Sequence, residues 1–162
     1  MVQSRAVEGW SDRHSGTPLG GQDLREGASP TDRLIGLHAE LAAMAVRHRE
    51  LCAASNPDMK ELAAIRWRIA DLGRRRMDLL TVTIFPLLEQ RCVGSDGVTL
   101  RALRDETAMY RTAISVYVSR WSTSAISREW ATYRTESALF HARVRERLAM
   151  ERAILVPLLG KV

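Results

Sequence analysis

Beyond residue 30, apolar residues recur along this chain at steps of three and four, the period of helices that bury one face. The first stripe reads Leu34, His38, Leu41, Ala45, His48 and Cys52, widened by Leu37, Met44 and Leu51. A second reads Leu62, Ile65, Ile69, Leu72, Arg76, Leu79 and Thr83, and a third Leu103, Thr107, Tyr110, Ile114, Tyr117 and Trp121. The fourth reads Tyr133, Ser137, Phe140, Val144, Arg147, Glu151, Ile154 and Leu158. Four stripes predict four helices. One carries two histidines on the buried side, and two carry arginines there, one of them with a glutamate on the same face.

Boundaries follow from local chemistry. Ser29, Pro30, Thr31 and Asp32 form a helix start, with a capping hydroxyl, a first-turn proline and a carboxylate three residues on. Asn56, Pro57 and Asp58 form a second, with Asn56 as the expected cap. The second helix is expected to reach about Gln90, with a kink or stop at Pro86. Gly94, Ser95, Asp96 and Gly97 read as a central turn, so the third helix is expected from about Thr99 to Trp121. Residues 122 to 130 read as a connection holding a short helical turn, and the fourth helix as ending near Leu159.

Two of these helices end alike: Ile84, Phe85, Pro86, Leu87 and Leu88 in one, Leu155, Val156, Pro157, Leu158 and Leu159 in the other. The prolines are 71 residues apart, a period long enough for a two-helix hairpin. Two hairpins that each expose an apolar stripe bury it against one another, so the expected fold is all-α, an up-and-down four-helix bundle over residues 30–162. Residues 1–29 combine Ser, Gly, Asp, Arg and Gln without apolar periodicity and are expected to form a disordered N-terminal tail.

Composition narrows the function classes. The 162 residues suit one domain, and no apolar run approaches a membrane span or a signal-peptide core, so a soluble cytoplasmic protein is expected, without membrane partners. Cys52 and Cys92 are too far apart for a thiolate metal motif. The net charge of +5 is spread over several helices, with Arg74, Arg75 and Arg76 the longest basic run, which disfavours nucleic acid as partner. No Gly-rich loop ends in the Gly-Lys-Ser/Thr that cradles phosphate, and no Gly-x-Ser-x-Gly elbow is present, so no enzymatic activity is expected.

The four stripes, the paired proline endings and a histidine early in the first helix resemble the hemerythrin-like (HHE cation-binding) domain, in a divergent bacterial form, over roughly residues 30 to 160. That resemblance implies a carboxylate-bridged di-iron centre between the helices. Carried over position by position, it assigns His38 to the first-helix histidine and Glu151 to the fourth-helix glutamate, and these two are the remaining candidate ligands. The other ligand places hold Arg76, Leu80, Thr107 and Arg147. Guanidinium groups stay protonated and do not ligate metal. The reading is therefore of a domain that has lost its di-iron cofactor, with Arg76 and Arg147 turned toward Glu151 and His38 in an ionic cluster. Arginines that snorkel to solvent are the alternative geometry.

Such a domain is expected to serve as a non-catalytic binding, sensing or interaction module for a protein partner or small ligand, with His48 as an additional polar cavity residue. One alternative keeps a cation: an unusual iron site drawn from His38, His48, His141 and Glu151, used in oxygen or redox sensing. Another is an Arg-rich bundle that binds an acidic partner or nucleic acid. A homodimer anchored by exposed Trp67, Trp121 or Trp130 is a further expectation.

Overall fold

The computed structural model describes residues 27–161, and every regular element among them is helical. The tail expected over residues 1–29 lies outside the described residues up to residue 26. Helix α1 spans Pro30–Ala53, and α2 spans Met59–Asp78. A π-helical turn, Leu79–Ile84, joins α2 to α3 at Phe85–Glu89, and α4 (Gly94–Arg120), α5 (Thr123–Arg128) and α6 (Trp130–Leu159) follow. Helix α1 packs against α2 and α6, while α4 packs against α3 and α6. No helix among the described residues is long and apolar enough to cross a membrane.

Capping chemistry sets most of the starts. The Ser29 hydroxyl accepts from the Asp32 amide at 3.1 Å, and Pro30 occupies the first turn of α1, where its missing N–H is not needed. Helix α2 is capped by Asp58, whose carboxylate accepts from the Lys60 and Glu61 amides at 3.0 and 2.9 Å. The cap expected at Asn56 is thus displaced by two residues, because a carboxylate satisfies two orphan amides and favours the positive helix end. Helix α4 begins at Gly94 rather than at Thr99. Gly94 takes a left-handed φ of 61° that breaks the chain direction, and Gly97, expected in the turn, lies within the helix. A Cβ on Gly97 would stand 2.9 Å from the Cys92 carbonyl oxygen, so glycine permits that approach.

The π-helical turn answers Pro86. A proline removes one backbone donor and crowds the carbonyl four residues earlier; widening the turn lets the Phe85 amide donate to Leu80 five residues back and lets the helix continue. The extra residue also rotates the buried face. Leu79 and Leu80 are buried at the start of the turn, and Ile84 and Phe85 at its end and just beyond, so Thr83, expected on the core stripe, is half-buried beside them.

Two apolar clusters form the interior. One gathers Leu34, Leu37, Leu41, Leu72, Leu80, Phe85, Leu88, Leu100, Leu155 and Leu158. The other gathers Cys52, Leu62, Trp121, Ile126 and Tyr133, with Tyr117 and Trp130 against it. Each fully buried large side chain contributes about 1.5–3 kcal/mol relative to exposure. Trp121, expected as a surface anchor, is buried, and its indole N–H donates to Glu136 at 3.0 Å; Trp67 is 72% exposed. Polar side chains occupy the ground between the clusters.

Candidate functional site

Glu151 is the centre of one polar layer. It sits on α6 one turn beyond Arg147, which puts both side chains on one helix face, the face turned to the interior. The Glu151 carboxylate is fully buried and accepts from Arg76 Nη1 at 2.6 Å on each oxygen, from Arg147 Nε at 2.9 Å and from His38 Nε2 at 3.2 Å. An ionised carboxylate only accepts, so His38 presents its Nε2–H. Burial alone pushes this carboxyl up. The His38 hydrogen bond, the Arg76 charge and the donors of Arg76 and Arg147 outweigh it and hold the group down at about 2.

Arg147 links this centre to α4. Its Nη2 donates to the Leu103 carbonyl at 3.0 Å and to the Thr107 hydroxyl, and its Nη1 to Glu106 at 3.0 Å. Thr107 in turn donates to the Leu103 carbonyl at 2.7 Å. Glu106 is more than half exposed, so among the described residues Glu151 alone is a fully buried carboxylate, and it faces two buried guanidinium groups. Both guanidinium carbons lie 5.9 Å from the centre of the Tyr110 ring, the outer range of a cation–π contact. Two polar atoms here have no hydrogen-bond partner among the described residues: Arg76 Nε and the Tyr110 hydroxyl.

The residues singled out by sequence are therefore brought together in large part. His38, Arg76, Thr107, Arg147 and Glu151 form one connected network from four helices, and the arginines are buried rather than snorkelling. Leu80 is buried in the π-helical turn and belongs to the first apolar cluster, making no polar contact with the network. His48 lies elsewhere, at the centre of a second polar layer.

In that second layer His48 Nε2 is 2.7 Å from the Tyr133 hydroxyl, and His48 Nδ1 is 3.1 Å from His141 Nε2. Two proton arrangements of neutral rings satisfy both contacts: the Tyr133 hydroxyl donates to Nε2 while His48 Nδ1–H donates to His141, or His141 Nε2–H donates to His48 Nδ1 while His48 Nε2–H donates to the Tyr133 hydroxyl. Burial, with the neighbouring imidazole and the Arg66 charge, pushes His48 down to about 3, and burial with Arg49 pushes His141 down to about 4. Both rings are neutral at pH 7. The Cys52 thiol, 3.6 Å from His48 Nδ1, is pushed up to about 11 by burial and stays protonated. Nothing here activates it as a nucleophile.

A cavity of about 110 Å³ separates the two layers, reaching from Arg76 and Tyr110 at one end to His48, His141 and Tyr133 at the other. The sequence reading missed the Glu106 contact, because Glu106 lies off the apolar stripe, and the pairing of His48 with His141, which depends on how α1 and α6 are set against each other. Tyr110 was on the third stripe but carried no signal of its position beside two guanidinium groups.

The donor set does not fit a di-iron centre. Only His38 and Glu151 in the Glu151 layer are metal-ligand types on the inner side, and both Glu151 oxygens already accept from guanidinium groups. Among the described residues no three His, Cys, Asp or Glu side chains converge as a metal-binding group. No family model matches the chain, and neither a curated protein nor a solved structure matches it significantly.

Proposed function

We propose that the chain is a hemerythrin-like four-helix bundle that has exchanged its metal centre for an ionic cluster, and that it works inside the cell as a non-catalytic binding or sensing module. The observation that carries this reading is the occupation of Glu151: a carboxylate at the place where the resemblance puts an iron ligand has both oxygens taken by Arg76, Arg147 and His38. Two permanently charged groups supply the positive charge an iron pair would bring. Neither can leave without stranding a buried carboxylate.

The test is elemental iron, with an absorption spectrum, on protein purified without a metal-affinity step and reconstituted anaerobically with ferrous iron. The expected outcome is iron at background and no oxo-bridge band after exposure to air. Near two irons per chain would sink the reading.

A second reading, an acidic partner, has one observation in its favour. A groove of about 330 Å³ between α1 and α6 is floored by Leu41, Ala45, Val144 and Leu148 and rimmed by exposed Arg49, Arg134 and Arg145, which make no ion pair among the described residues. Affinity for an acidic polypeptide that falls steeply with salt, and is abolished by Arg49→Glu with Arg134→Glu, is the outcome this reading requires.

A further inference from the structure

The cavity between the two polar layers is bounded by all four long helices: Leu41 from α1, Ile69 and Gly73 from α2, Ile114 from α4, and Phe140 and Val144 from α6. Its walls are apolar, yet its lining includes Arg66 and Arg76 and no carboxylate. Arg66 makes no ion pair among the described residues; its guanidinium donates to the Trp121 carbonyl and lies 5.7 Å from the Tyr133 ring centre. The imidazoles at the far end carry no charge at pH 7. Positive charge is thus in excess around an apolar space.

The two unpartnered donors stand at the same end of that space. Arg76 is 2% exposed, and its Nε–H has no acceptor, although its Nη1 is engaged by Glu151. The Tyr110 hydroxyl, also without a partner, is pushed up to about 12, with burial the largest cause, and so remains a donor. Buried donors without acceptors are rare, because each forfeits its hydration. Water alone would answer them, but water gains nothing from the apolar walls that make up the rest of the cavity.

We propose that this cavity is a binding site for a small organic carboxylate with an apolar body, its anionic end received by Arg76 Nε–H and the Tyr110 hydroxyl. This deepens the metal-free reading and rests on it, since Arg76 must stay at Glu151 to present its Nε to the cavity. The volume fixes the scale. An enclosed cavity near 150 Å³ takes benzene; this one, about 110 Å³ and open to solvent beside half-exposed Val118, suits a body no larger than one small ring or a short branched chain, part of it standing at the mouth. Arg66 and Arg76 are ten residues apart, about 15 Å along α2, so a ligand of this size reaches only one of them. The one with a buried donor that lacks a partner among the described residues is Arg76. Gly73 completes the site: its φ is ordinary, a Cβ there would meet nothing within 4 Å, and the absence of a side chain leaves the space open.

Benzoate is the probe and toluene its uncharged counterpart, titrated calorimetrically against the full chain and against two variants. Tyr110→Phe removes a hydroxyl that has no partner, so the fold should be as stable as the parent while benzoate binds roughly tenfold more weakly, the loss of one charge-assisted hydrogen bond. Gly73→Leu projects a side chain into the cavity from a position where glycine is a poor helix former, so it should fold and lose saturable benzoate binding altogether. The parent should bind one benzoate per chain, more tightly than toluene. Toluene binding as tightly as benzoate, benzoate binding that survives Gly73→Leu, or no benzoate binding at millimolar concentration overturns the assignment. Iron is read on the same preparation. Stoichiometric iron defeats both this assignment and the metal-free reading, whereas iron-free protein that ignores benzoate defeats this assignment alone.

Discussion

The two polar layers of this interior handle the same difficulty in opposite ways. Around Glu151 the protein buries full charges and spends nearly every donor on them: three side chains converge on one carboxylate, and Arg147 ties the group to α4 through Leu103, Thr107 and Glu106. Around His48 it buries titratable groups and keeps them neutral, in a chain of single hydrogen bonds from Tyr133 through His48 to His141 beside open space. The first arrangement is held together by mutual need, because no member can be removed without stranding another. The second is held by one contact at a time. A helical core can therefore carry polar layers of very different rigidity a few turns apart, with a cavity between them.

The largest expected effect breaks the charged layer. Glu151→Ala leaves two buried guanidinium groups facing each other and should cost about 3–5 kcal/mol in urea unfolding. Replacing all three charges at once, as Arg76→Met with Arg147→Met and Glu151→Leu, should cost far less, because an apolar set of similar volume has nothing left to desolvate. If Glu151→Ala unfolds like the parent, the cluster does not have the role argued for it.

Acid separates the layers next. The Glu151 carboxyl is depressed from 4.5 to about 2, so its contribution is complete above pH 4.5 and is lost as pH falls toward 2, up to about 3 kcal/mol in all. His48 and His141 are depressed from 6.5 to about 3 and about 4. For these bases the unfolded chain takes up protons first, so stability falls with pH from about 6.5 downward until the folded-state rings charge as well. Stability measured against pH should therefore begin to decline in the histidine window. His48→Gln with His141→Gln should move that onset down into the carboxylate window. An unchanged onset would mean that the rings are not held neutral by the fold.

Much of the charged layer was legible in the sequence, and little of the neutral one. Arg76 and Arg147 interrupt apolar stripes at helical spacing, and a cation in such a place either snorkels or finds an anion; Glu151, one turn from Arg147, was on the same stripe. Periodicity within each helix was enough to bring them to a common interior. His141 directly follows Phe140 and sits at the margin of its stripe, so its bond to His48 depends on the relative height of α1 and α6, which no single-helix pattern encodes. The π-helical turn was visible only as a proline inside a helix. Its consequence, the burial of Ile84 and Phe85 where Thr83 was expected, came from an added residue that shifts the phase of the stripe.

A smaller effect probes how singly the neutral layer is held. Tyr133→Phe removes the 2.7 Å contact to His48 and leaves a buried ring nitrogen without its partner, while the ring itself still packs against Trp121 and Trp130. The expected cost is about 1–2 kcal/mol. It should be lost in His48→Phe, where the partner is gone, so that the double variant costs no more than His48→Phe alone. Additive losses would show that the two residues act independently.

The smallest effect compares the packed end with the cavity through one residue type. Both Gly73 and Gly97 lie inside helices with no left-handed φ, so alanine suits the backbone at each and reduces the freedom of the unfolded chain, a gain of about 0.5–1 kcal/mol where there is room. At Gly73, beside the cavity, the new methyl meets nothing within 4 Å, and that gain should be realised in full. At Gly97 the methyl meets the Cys92 carbonyl oxygen at 2.9 Å, a backbone atom that cannot swing aside, so Gly97→Ala should destabilise instead. Opposite signs in thermal unfolding are the expected result. Equal signs would mean either that the cavity closes in solution or that the approach of Cys92 to α4 is looser than the fold requires.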